Sequence, residues 1–108
     1  MTEFTVETIG RTSVASTYNA AAALGDEFPN TGREFLHIKN GDASETTVTI
    51  ETPNTVDGLA IADRTIAVPA TSERFVGNFA TGVYNDADGM LQLTYSSETS
   101  LTIAVLKT

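Results

Sequence analysis

Residues 33–52 read REFLHIKNGDASETTVTIET, two alternating runs with a polar turn between them. Successive strand side chains point to opposite faces, so residues 35–40 send Leu36 and Ile38 one way and His37 and Lys39 the other. Residues 40–44, Asn-Gly-Asp-Ala-Ser, are turn chemistry: glycine accepts positive φ, and Asn and Asp bond their own backbone. Residues 46–50 alternate again, with Val48 and Ile50 inward and the threonines outward. A link this short between two period-two runs predicts a β-hairpin.

The same pattern recurs along the chain. Residues 4–9 alternate weakly, Phe4, Val6 and Ile9 against Thr5, Glu7 and Thr8, and predict a strand or arm ended by Gly10 that can pair with a neighbouring subunit. Residues 19–25, four alanines among them, predict one helical turn closed by Gly25. Residues 25–32 then read as a loop anchored by Phe28, and long loops on β domains tend to carry contacts. Pro53 stops the strand before it, because proline cannot donate to a ladder. Asp57-Gly58 reads as a turn with Leu59 and Ile61 tucked beneath it. Further strands are expected over 65–68, 74–79, 90–95 and 100–107, the last with Leu101, Ile103 and Val105 on one face. Residues 84–89 are a polar turn, and residues 96–99 are expected to turn the final hairpin. About seven short strands with regular turn signals define an all-β, single-domain antiparallel sandwich or barrel over residues 1–108. Residues 1–32 form its N-terminal arm and loop, and residues 33–108 its β core.

Composition narrows the function classes. The chain has 108 residues, 41% hydrophobic and 19% charged, enough for one independently folding core. Eighteen threonines suit strands. Cysteine is absent, so no disulfide or thiolate chemistry is available. The N-terminus lacks the basic and apolar regions of a signal peptide and no apolar run spans a bilayer, so synthesis in the cytoplasm and no membrane partner are expected. Fourteen acidic against six basic residues give a net charge of −8, which repels nucleic acid and suits a basic protein partner.

Residues that could carry chemistry are scattered. The one histidine, His37, sits mid-strand on the polar face, and no Gly-x-Ser-x-Gly elbow presents a nucleophile. Asp86-Ala87-Asp88-Gly89 matches a fragment of a calcium loop, but further ligands of that pattern fall at Tyr84 and Tyr95. No catalytic residue, cofactor or metal is therefore expected. Arg33, Arg64 and Arg74, half of the basic residues, stand at the edges of expected strands, and arginine is enriched at interface centres. The absence of Trp weighs against a sugar-stacking platform unless exposed Tyr18, Tyr84 or Tyr95 side chains cluster on one concave face.

Residues 25–40, GDEFPNTGREFLHIKN, resemble a motif of small proteins encoded among the head and tail genes of tailed phages and their archaeal virus relatives. Residues 55–64, TVDGLAIADR, the strand ending in Val68-Pro69-Ala70, and residues 84–89, YNDADG, continue the likeness. Together they cover most of the chain beyond residue 20. The resemblance implies a non-enzymatic virion protein, foremost a capsid decoration protein on the major capsid protein, with a tail or neck adaptor as the alternative role. It implies a homo-oligomer, with a trimer favoured. From a different class, a carbohydrate-recognition sandwich is the competing expectation. The residues expected at the interface are Phe4, Val6, Ile9, Leu24, Phe28, Arg33, Arg64 and Arg74.

Overall fold

A computed structural model of the chain describes residues 2–108. In chain order its strands are β1 (Thr2–Glu3), β2 (Val6–Thr8), β3 (Asn19–Ala20), β4 (Asp26–Pro29), β5 (Glu34–Asn40), β6 (Thr46–Ile50), β7 (Thr55–Val56), β8 (Leu59–Ala60), β9 (Arg64–Val68), β10 (Glu73–Gly77), β11 (Met90–Tyr95) and β12 (Leu101–Lys107). One helical turn, α1 (Thr81–Tyr84), precedes β11. The strands form two sheets packed face to face, ordered β1-β4-β11-β6-β9 and β10-β5-β12-β2, with β3 also on β12 and a separate β7-β8 hairpin. The protein is an all-β sandwich.

Alternation explains the core. Leu36, Ile38, Leu101, Ile103 and Val105 from one sheet meet Phe28, Val48, Ile50, Leu91 and Leu93 from the other, all inaccessible or nearly so. Burial at these inward registers is the main stabilising term, roughly 25 cal/mol per Å² of apolar surface removed from water. Strand β12 lies inside its sheet and is buried on both registers, Ala104 and Leu106 included.

The connections differ from the expected hairpins. Strands β5 and β6 belong to opposite sheets and do not pair, so residues 41–45 cross the sandwich instead of reversing one sheet. Five residues reach roughly 17 Å, ample for sheets packed about 10 Å apart. Residues 96–99 likewise carry the chain from β11 in one sheet to β12 in the other. Both links leave the alternation unchanged, because each strand still turns one face to the same core. Among the longer strands, only β6 and β9 follow one another within a sheet, and they pair from Thr46↔Val68 to Ile50↔Arg64.

Three further expectations are corrected. Residues 21–25 make a tight turn rather than a helical one: Gly25 N–H donates to the Ala22 carbonyl at 3.0 Å, Ala22 N–H donates to Asp26 Oδ2 at 3.0 Å, and Gly25 takes a φ of 94°. The presumed loop after it contains β4, which escapes pattern reading because Phe28 is its one inward apolar residue and Asp26 is buried beside it. Asp57 and Gly58 turn the β7-β8 hairpin with positive φ at both positions, but Leu59 stands 70% exposed at its tip rather than beneath it.

The N-terminal segment is built into the fold. β1 pairs in parallel with β4, the chain crosses at Phe4, and β2 pairs in parallel with β12 in the other sheet. Phe4 N–H donates to the Glu27 carbonyl at 2.7 Å, and its ring enters the core. This crossing closes one side of the sandwich.

Candidate functional site

On the opposite side, β9 and β10 end their sheets, each paired on one edge only. Arg64 lies directly across from Ile50, and Arg74 directly across from Ile38. Opposed residues share a face, and both isoleucines are core residues, so the two arginines stand on the inward registers of opposing sheets. They line one cleft of about 460 Å³ with Ile66, Val76, Phe79 and Tyr84. Phe75, on the outward register of β10, forms its rim at 66% exposure.

A polar network fixes the floor. Asn30 Nδ2 donates to the Phe79 carbonyl at 3.1 Å and to Asn85 Oδ1 at 2.8 Å, while Asn85 Nδ2 returns a bond to the Asn30 carbonyl at 2.8 Å. Asn54 Nδ2 donates to the Asn85 carbonyl at 2.7 Å. Residues 79–85 are thereby held against β4 and β11, and the Phe79 and Tyr84 rings meet edge to face at 5.5 Å between centroids. Buried amides bonded on both sides make a rigid support.

Charge in the cleft is one-sided. None of the 14 acidic side chains lines it. Among the described residues neither Arg64 nor Arg74 forms an ion pair; Arg74 Nη1 donates to the Glu73 carbonyl at 2.7 Å. Two guanidinium groups facing one gap without a carboxylate favour an anionic visitor.

The residues expected at an interface are not all brought together. Arg64 and Arg74 share the cleft. Arg33 is elsewhere, its guanidinium bonded to the Thr108 carbonyl. Phe4 and Phe28 are core residues and present no surface; Phe28 is wholly buried, and Phe4 is 2% exposed. Val6 is half-buried against the core, opposite Val105. Ile9 and Leu24 are exposed, Leu24 at 80%. Sequence reading missed Phe79 and Tyr84 as lining because contacts distant in sequence place them there, among them Asn30 with Asn85, 55 residues apart, and Asn54 with Asn85.

His37 keeps its outward register but is not bare surface. Tyr18 Oη lies 2.6 Å from its Nδ1, its ring stacks on Phe75 at 4.0 Å, and Lys39 Nζ sits 4.1 Å from the Tyr18 ring centre. Its Nε2 is 3.3 Å from Glu73 Oε2, close enough for an ion pair but not aligned as a hydrogen bond. This clasp ties the segment before β3 to the outside of the sheet. The Asp86 carboxylate is engaged by the N–H groups of Met90 and Asp88 and by the Gln92 amide. The Met90 N–H leads in holding its carboxyl below the usual range, against the opposing effect of burial, with the Gln92 amide and the Asp88 N–H adding to it. Among the described residues, no group of three histidine or carboxylate side chains is placed to hold a metal.

No protein-family model, curated protein or solved structure matches the chain.

Proposed function

We propose that this chain is a non-enzymatic structural component of a virus particle, a capsid decoration protein that docks on the major capsid protein through its β9–β10 side. The observation that carries the reading is the asymmetry of the sandwich. One side is closed by the N-terminal crossing at Phe4, and the other gathers two unopposed arginines and an exposed Phe75 around a preformed cleft. Arginine and aromatic residues around a rigid hollow are what interface centres are made of. The likeness of residues 25–40, 55–64 and 84–89 to small virion proteins supplies the particle. A tail or neck adaptor would use the same surface on a different partner. The sugar-binding alternative asks for exposed Tyr18, Tyr84 or Tyr95 side chains clustered on one concave face; of the three only Tyr84 lines the cleft, Tyr95 packs on the core and Tyr18 lies against His37.

Co-sedimentation of the purified chain with undecorated heads, and with isolated tails alongside, tests the proposal. Saturable binding to heads at a fixed ratio to the shell protein is the expected result. Binding to tails alone moves the chain to the adaptor role, and binding to neither removes the virion reading.

A further inference from the structure

We infer that the Arg64–Arg74 cleft recognises a carboxylate side chain, carried between apolar residues on an extended segment of the partner protein. The inference rests on the docking reading above and names the chemistry that the partner must supply. Its first ground is register: Arg64 beside Ile50 and Arg74 beside Ile38 place one guanidinium on each wall of the same gap. Inward-pointing cations on two edge strands discourage strand addition, so the side is read by side chains rather than by backbone pairing with another sheet edge. Its second ground is the lining. Ile66 and Val76, half-buried on the registers next to the two arginines, set apolar side chains beside the charged walls, which suits an acidic residue with apolar neighbours. Its third ground is the net charge of −8, which repels polyphosphates and nucleic acid far more than a single carboxylate. The cleft volume of about 460 Å³ falls within the range of ligand sites, about 300–1,000 Å³.

The test uses a fluorescein-labelled peptide of valine and serine with one central glutamate flanked by valines, its counterpart with glutamine at that position, and inorganic phosphate as competitor. Fluorescence anisotropy should show the full chain binding the glutamate peptide, and the glutamine peptide binding about tenfold or more weakly, as expected for lost charge-assisted bonds. The double variant Arg64→Gln/Arg74→Gln should lose the preference while keeping its urea midpoint, since both side chains are exposed. Equal binding of the two peptides, or by the double variant, overturns the inference. So does displacement of the peptide by phosphate at matched concentration, which would make the site one for a free anion. Self-association of the chain abolished in the double variant would assign the cleft to a second copy and overturn it too. Peptide recognition without binding to heads keeps this inference and removes the decoration reading; equal binding of wild type and double variant to heads keeps decoration but overturns both this inference and docking through the β9–β10 side.

Discussion

The Tyr95 hydroxyl donates to Asp26 Oδ2 at 2.7 Å, joining β11 to the first residue of β4 inside the sandwich. Burial first, and then the bond and charge of Asp26, push the phenol above its ordinary value of 10.0. An unfolded chain therefore releases this proton near pH 10 while the folded chain keeps it, so the native state binds more protons and stability falls as pH rises beyond that point. The urea midpoint of the wild type should drop more steeply above pH 10 than that of Tyr95→Phe. At neutral pH the substitution should cost about 1–3 kcal/mol, because it removes one of the two donors to the buried Asp26 Oδ2 and leaves only the Ala22 N–H. Parallel alkaline curves for the two proteins would refute the coupling.

Glu34 works at the acid end. Its side chain is nearly inaccessible, which by itself raises a carboxyl group. The Thr31 N–H at 2.8 Å, the Thr31 hydroxyl and the Arg33 N–H at 3.1 Å outweigh burial and hold it below its ordinary 4.5. With the folded value lowered, the stabilisation is complete above pH 4.5 and is lost as pH falls through the folded value. Denaturation midpoints between pH 5 and pH 3 should therefore decline more steeply for wild type than for Glu34→Gln, with the variant the less stable at pH 7.

The strand faces were legible in the sequence, but the strand partners were not. Leu36, Ile38, Val48, Ile50, Leu101, Ile103 and Val105 point inward as their alternation requires. That alternation records only which side of a strand is buried, and a link that crosses the core preserves it as well as one that reverses a sheet. β4 was hidden because its stabilising contact is polar, Asp26 with Tyr95, 69 residues apart. The cleft was half legible: Arg64 and Arg74 stood out as scarce cations at strand edges, yet their convergence depends on β9 and β10 ending opposite sheets.

Asn40 holds the first of those crossings. Its Nδ2 donates to the Ser44 carbonyl at 2.9 Å and the Val68 carbonyl at 3.1 Å, and its Oδ1 accepts the Asp42 N–H at 3.0 Å. A hairpin turn would have no need to reach Val68, the last residue of β9. Asn40→Ala should cost about 1–3 kcal/mol in urea unfolding. Asn40→Asp should cost at least as much, since it keeps the shape but sets a carboxylate against carbonyl oxygens. An aspartate variant as stable as wild type would contradict the corner bonding.

Phe4 separates folding from docking. Its ring is 2% exposed within the core, so Phe4→Ala should destabilise by about 3–5 kcal/mol, the usual cost of emptying a buried aromatic site. Leu24→Ser should stay within about 0.5 kcal/mol, because Leu24 touches mostly solvent. Deleting residues 1–10 removes Phe4 together with the backbone bond from Ile9 N–H to the Lys107 carbonyl, and so weakens the fold whether or not the segment touches a partner. Ile9→Ser keeps that backbone bond and changes only an exposed side chain. If docking runs through the β9–β10 side, Ile9→Ser binds heads as wild type does in co-sedimentation, while Arg64→Gln/Arg74→Gln does not. Loss of binding by Ile9→Ser with an unchanged urea midpoint would instead move the contact to the N-terminal side.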